Sequence, residues 1–354
     1  LRRLLRETPL PGPVSLSYER EPSYFAAAAL EDPGQQTIVA RDGATGEILG
    51  CANRSVHTLY VNGEARPVGY LSQLRCHPRL RRGMGLARSV SKAFALYRAL
   101  HEDGRAPFYL LSIVAGNDPA RRLLTGGLPG WPQLRPCARL VTYAIHLGRP
   151  RRPLPLPGTL RLDHGSAERL PAILDCLERN GPRRQFAPCW TRETLCGHGL
   201  AAEDFLIVRD RERVVGCLAA WDQRAVKQTV VRGYSGALGR WRPLLNLLAP
   251  LGGWQRLPAP GTALRSSYAT HRTADGDDPA VFAALLRALY NRAVLRGDGY
   301  LLIGFDEADP WRAVLSGYRA TPYISDLYFA AWEDGEEAVS RIKGRLVGPE
   351  IALL

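Results

Sequence analysis

A chain of 354 residues with a net charge of +13, 45% hydrophobic and 23% charged residues has room for two cores of about 150 to 200 residues each and does not read as disordered. No apolar run reaches the roughly 18 residues of a transmembrane helix, and the first residues, Leu1 to Arg6, meet Pro9, Pro11 and Pro13 before a signal-peptide core can form, so a cytoplasmic protein with no membrane partner is expected. Only Lys92, Lys227 and Lys343 among the 47 basic residues are lysines, and the positive field favours a phosphorylated, acidic or nucleic-acid partner without choosing among them.

The predicted elements run as follows. Apolar strands at 37–41 and 47–53 are joined by a polar turn, and an Asn62-Gly63 hairpin leads to a strand over 68–76. A helix follows, with Leu86, Val90, Phe94 and Tyr97 recurring at helical spacing. A buried strand at 108–114, a short helix starting near Pro119 with Asp118 as its N-cap, and a closing strand at 140–147 complete this half. Six prolines or glycines in 148–158 make a stiff linker. The second half repeats the plan with strands at 205–209 and 214–221, a helix at 279–295, a strand at 300–305, an Asp309-Pro310 helix start and a last strand near 324–331.

The repetition is visible in the letters. Tyr109-Leu110-Leu111, Asp118-Pro119, Arg121, Leu124 and Gly126 recur 191 positions later as Tyr300-Leu301-Leu302, Asp309-Pro310, Arg312, Leu315 and Gly317. Ile38-Val39 with Gly50-Cys51 is echoed by Ile207-Val208 with Gly216-Cys217. Two matches in one order indicate duplicated units. The division is 1–148, a linker at 149–158, 159–332, and a tail at 333–354. The second unit is longer between its matched cysteine and tyrosine, with the extra residues expected at 233–261, where Tyr234, Trp241 and Trp254 suggest a lid over an acceptor cleft.

Chemistry concentrates between the strand at 68–76 and the next helix. Arg81-Arg82-Gly83-Met84-Gly85-Leu86-Ala87-Arg88 puts glycines and cations where a helix begins, so free N–H groups and the positive dipole end face any anion there. It has neither the Gly-Lys-Ser/Thr of a Walker loop nor a dinucleotide fingerprint. At the same 191 offset the second half carries Asp275, Asp277 and Asp278, which repel a pyrophosphate. Seven irregularly spaced cysteines read as free thiols. Cys189, Cys196 and His198 come nearest to a metal cluster but fit no zinc spacing, so no metal is expected.

A strand, an Arg-x-x-Gly-x-Ala loop (Arg82, Gly85, Ala87), a helix, a second strand and then Asn117 and Ala120 on a short helix resemble the GNAT N-acetyltransferase superfamily. The resemblance covers residues 14–147 and, without the loop, 159–332. It implies an α+β chain of two GNAT-like lobes, each a mixed, mostly antiparallel sheet flanked by helices, the second lobe degenerate. It implies acetyl-CoA or another acyl-CoA as donor, its pyrophosphate on Arg81 to Arg88, its pantetheine along Leu74, Arg75 and Cys76, and Asn117 nearby. It also implies transfer to an amine on a small molecule or peptide, one bearing a carboxylate or phosphate if the arginine excess is used. The family's tyrosine seven residues after the asparagine is Leu124 here, and its acid on the strand before the loop is replaced by Ser72 and Gln73. Those two residues and His57, an imidazole suited to base work near neutral pH, are the catalytic candidates. The alternatives are an aminoacyl-tRNA-dependent transferase, supported by charge, and a non-catalytic acyl-CoA sensor, supported by Leu124.

Overall fold

Asn62 and Gly63 both adopt left-handed φ (56° and 95°), the geometry of a two-residue hairpin, and they join the two long strands around which the first half is built. The computed structural model describes residues 1–81, 85–252 and 255–354, with side chains left undescribed at 81 and 250–252. In chain order the first half contains α1 (Arg2–Glu7), β1 (Val14–Glu19), α2 (Tyr24–Glu31), β2 (Gln36–Arg41), β3 (Ile48–Val61), β4 (Glu64–Cys76), α3 (Gly85–His101), β5 (Tyr109–Val114), α4 (Asp118–Leu124) and β6 (Gln133–His146). The second contains β7 (Leu160–His164), α5 (Leu170–Asn180), α6 (Arg192–Gly197), β8 (Phe205–Asp210), β9 (Arg213–Trp221), β10 (Gln228–Tyr234), α7 (Gly236–Gly252), β11 (Ser266–Ala274), α8 (Pro279–Leu295), β12 (Tyr300–Asp306), a 3-10 segment (Pro310–Gly317), β13 (Ala320–Ala331) and α9 (Glu336–Ser340).

Amphipathic helices cover the sheet in both halves. Val90, Phe94 and Tyr97 of α3 pack on Leu71, Tyr109 and Leu111, while Phe282, Leu285 and Leu289 of α8 pack on Leu301, Ile303 and Phe305. Each such side chain contributes about 1.5–3 kcal/mol of transfer free energy when fully buried. The short helix after β5 is capped by Asn117, whose Oδ1 accepts from Ala120 N at 3.4 Å. Asp118, expected as the cap, sits one residue inside and pairs with Arg121. Asp309 caps the matching segment as expected, accepting from Trp311 N at 3.0 Å.

The halves do not close their sheets separately. A single sheet runs β2-β3-β4-β5-β13-β6-β12-β11-β9-β8-β7. The closing strand of each half has crossed over: β13 pairs with β5, and β6 pairs with β12. These two strands pair with each other along twelve residues, Ala320–Ala331 against Gln133–Ile145, so neither half presents a free edge at the join. The extra length of the second half lies between β9 and β11, over 222–265, a wider span than 233–261. It supplies β10, which pairs with β1 of the first half in a separate two-stranded ribbon, and α7.

Candidate functional site

Both halves contain the same opening in the sheet. Parallel pairing of β4 with β5 covers only Gly69 to Leu71 against Tyr109 to Leu111, and β11 pairs with β12 only from Ser266 to Tyr268. Past those three residues the strands diverge, and among the described residues no strand pairs with β4 at Ser72 to Cys76 on the side away from β3. A bulge marks each divergence. Gln73 and His271 take left-handed φ (52° and 56°) where the pairing with β3 or β9 slips. Each bulge carbonyl is held by the cysteine that the two halves share: Cys51 Sγ donates to Gln73 O at 3.4 Å and Cys217 Sγ to His271 O at 3.6 Å. A left-handed turn in a strand re-aims the neighbouring N–H groups away from the ladder.

In the first half the opening leads to the start of α3. Gly85 begins that helix, Leu86 packs on the core, and exposed Arg88 lies in its first turn with no ion pair among the described residues. Arg81 ends a 3-10 turn, Pro78–Arg81; Arg82, Gly83 and Met84 lie outside the described residues. A cleft of about 160 Å³ formed by Gly116, Asn117, Asp118, Arg121, Arg139 and Asp326 lies at the end of β5. Across the opening, Tyr70 shares a 2.8 Å hydrogen bond with Ser112, and burial pushes its hydroxyl up to about 12, so it is protonated at neutral pH. Tyr18 of the β1–β10 ribbon and Tyr323 of β13 interact electrostatically with each other and with the Arg75 guanidinium; burial raises both phenols.

The structure brings Ser72, Gln73, Leu74, Arg75 and Cys76 together at the opening. Ser72 and Gln73 are half-buried, and Gln73 Oε1 is buried with no hydrogen-bond partner among the described residues, as fits an acceptor left for a ligand amide. His57 is not among them. It faces Val68 across the β3–β4 ladder, whereas Ser72 faces Asn53, so about 13 Å of strand separates them. Its ring bonds Ser55 Oγ at 3.0 Å, and burial lowers its pKa despite Asp32 and Glu31. Leu124 is a core residue, and Tyr97 spends its hydroxyl on Asn53 O. Sequence reasoning missed Tyr18, Ser112 and Tyr323, because the strands that carry them meet only through the crossed closing strands and the ribbon. The repeated Gly-Cys pair was the one letter-level signal of the bulge.

The second opening is filled by the chain itself. Glu350 Oε2 accepts from the bulge N–H of His271 at 3.2 Å, Val347 N donates to Asp306 Oδ2 at 2.9 Å, and Ile351 lies against Gly304. The residues between β11 and α8 number four, 275–278, against eight, 77–84, between β4 and α3. The carboxylates there are committed: Asp275 pairs with Arg179 and Arg213, Asp277 with Arg183 and Arg184, and Asp278 caps α8. Among the described residues no group of three His, Cys, Asp or Glu side chains converges as a metal site, and no helix is long and apolar enough to cross a membrane.

Where the halves meet, Glu31 takes two hydrogen bonds from Arg20 (2.8 and 2.6 Å) and an ion pair from Lys227 at 2.9 Å. Burial disfavours its charge, but Lys227 and Arg20 outweigh that and hold it below the usual range. His198 stacks 4.7 Å from Trp221 and is held at about 4 by burial, then by His57 and Lys227; buried His271 falls well below its ordinary value for the same first reason. An imidazole whose folded pKa is lowered stays neutral while the unfolded chain takes up a proton, so its contribution is complete above about pH 6.5 and is lost as pH falls toward 4. Unfolding free energy is expected to drop by about 1–2 kcal/mol from His198 over that interval after screening. Urea midpoints at pH 7 and pH 5 test this, and an unchanged pH slope in His198→Gln would remove the assignment.

No protein-family profile matches the chain, and no curated protein matches it in sequence. Solved structures do. A GCN5-related N-acetyltransferase from Sphaerobacter thermophilus superposes with a TM-score of 0.54 at 17% identity, over 84% of this chain and 81% of that one. The chain has the GNAT fold. Saccharomyces cerevisiae N-myristoyltransferase with bound myristoyl-CoA gives a TM-score of 0.54 at 12% identity, over 89% of this chain and 75% of that one. A second structure of that enzyme, with bound myristoyl-CoA and inhibitors, gives 0.58 at 12% identity, over 93% and 76%.

Proposed function

We propose that the chain is an acyl-CoA-dependent N-acyltransferase with one donor site, in its first lobe, and that the acceptor is an amine on a small molecule or peptide. The observation that carries this is the strand side at Ser72 to Cys76, left without a strand partner among the described residues and leading into the start of α3 at Gly85, in a chain whose second copy of that opening is filled by Glu350 and Ile351. The pantetheine arm would run along Leu74 to Cys76 as an added strand. The pyrophosphate would meet the α3 N-terminus and Arg88, with Arg81 to Met84 contributing from the preceding loop, and Asn117 borders the same opening.

In the reaction the amine nitrogen attacks the thioester carbonyl, the C–S bond breaks, and the products are an amide and free CoA thiol. The N–H groups turned outward at the Gln73 bulge are suited to hold the carbonyl oxygen as it gains charge, as the His271 N–H holds Glu350 in the other lobe. Tyr70, protonated and bonded to Ser112 where β4 and β5 part, would supply the proton for the departing thiolate. Arg75, beside Tyr18 and Tyr323, suits an acceptor that carries a carboxylate or phosphate besides its amine. An amine that arrives neutral needs little further base, and alignment supplies most of the acceleration.

Calorimetric titration with acetyl-CoA and with longer acyl-CoAs is expected to give one equivalent per chain, followed by thiol release when an amine is added. Two equivalents would overturn the single-site reading. Tight binding with no thiol release across peptide and small-molecule amines would make the chain a sensor.

A further inference from the structure

The helix of the inserted segment carries a second apolar face that points away from the protein. At 100° per residue, Ala237, Arg240, Trp241, Leu244, Leu247 and Leu248 of α7 fall within an arc of about 120°, and all six are exposed. Leu247 is 73% and Trp241 54% exposed. The side turned toward the protein holds Leu238, Leu245 and buried Ala249 together with two polar residues: Arg242 Nε donates to Leu257 O at 3.2 Å, and Asn246 exchanges hydrogen bonds with Leu257 at 2.9 and 2.6 Å. A surface helix ordinarily buries its apolar stripe, so this one has an apolar face left for something outside the chain.

Charge identifies the partner. Between Asp222 and Asp275 there is no acidic residue and there are eight basic ones. Arg224, Lys227 and Arg232 are taken by Asp222, Glu31 and Glu19. Arg240, Arg242, Arg256 and Arg265 have no ion pair among the described residues, and Arg240, Arg256 and Arg265 are exposed. A second copy of this chain on the same face would set like charges against each other. A bilayer surface with anionic headgroups satisfies both features. Leucines enter the acyl boundary, the tryptophan sits at headgroup level, and arginines reach the phosphates.

We infer that α7 docks the protein on anionic membrane surfaces by lying in the interface. The hydropathy of the chain has no trace of it, because such a helix does not span and its exposure is a property of the fold.

The test is co-sedimentation of the full chain with vesicles of phosphatidylcholine alone and of phosphatidylcholine with an equal part of phosphatidylglycerol, at about 0.1 M and about 0.5 M salt. The protein is expected to pellet with the mixed vesicles at low salt, weakly with the neutral ones, and less at high salt. Leu244→Glu combined with Leu247→Glu should cut partitioning by roughly tenfold or more while leaving circular dichroism and acyl-CoA affinity unchanged, since both positions face solvent. No pelleting with mixed vesicles, or pelleting unaffected by the two substitutions, overturns the inference. So does a dimer in sedimentation velocity that the same substitutions dissociate, which would assign the face to a second copy.

Discussion

Gly85→Trp is expected to weaken acyl-CoA binding by roughly a hundredfold or more while moving the thermal midpoint by no more than about 2 °C. A Cβ built at Gly85 meets only Leu80 O, at 3.5 Å, an ordinary contact, so among the described residues nothing inside the fold forbids a side chain. The space a side chain would take lies at the start of α3, where the proposed pyrophosphate meets free helix N–H groups. Losing two charge-assisted hydrogen bonds of about 1.5–3 kcal/mol each accounts for the size of the effect. Calorimetry gives the affinity and scanning calorimetry the midpoint. Unchanged affinity would remove the donor from this loop, and a collapse of the midpoint would mean that Gly85 serves the fold instead.

The opposite balance holds sixteen residues earlier. Gly69→Val should cost about 3 kcal/mol of stability, read as a shift of the urea midpoint, because the space beside Gly69 is already taken. Its Cβ would stand 2.0 Å from Tyr109 Cδ1. That ring cannot retreat: it is 1% exposed, lies edge-on to His101 and Trp332, and its hydroxyl takes hydrogen bonds of 3.0 Å with Arg54 Nε and His101 Nδ1. Gly69 also begins the three-residue pairing of β4 with β5, so the cost falls on the two strands that form the opening. Gly43→Ala, where a Cβ has nothing within 4 Å, is the control and should leave the midpoint in place. A Gly69→Val protein as stable as that control would refute the packing argument.

Much of the fold was legible as periodicity and punctuation. The helix over 279–295 and the strands at 109–114, 205–209 and 213–221 stand within a residue or so of where apolar spacing puts them, since each buries a face whose pattern is local. The Asn62-Gly63 turn and the Asp309 cap were readable for a similar reason: left-handed φ and an orphan helix N–H select particular side chains. The repeated Gly-Cys pair pointed to duplication, and the structure gives it a physical role at the two bulges.

The remainder depends on which surfaces meet. Apolar alternation along 133–146 and 320–331 marks both as strands but does not name their neighbours, because any edge offers the same N–H and C=O groups; only the assembled sheet crosses them between the halves. His57 looked suitable by residue type, and the β3–β4 register then carried it about 13 Å from Ser72. The polar wall of Tyr18, Tyr70, Ser112 and Tyr323 joins four strands distant in sequence, and the insertion's described aromatics stand apart from it: Tyr234 donates to Pro258 O and Trp241 faces solvent, while Trp254 lies outside the described residues. The sequence by itself determined the repeated strands and helices of the two halves and the place of the glycine-rich loop between a strand and a helix, because those rest on local propensity and pattern. Tertiary structure alone decided the crossed strands, the filling of the second opening by Glu350 and the outward apolar face of α7, because each depends on contacts whose partners lie far along the chain.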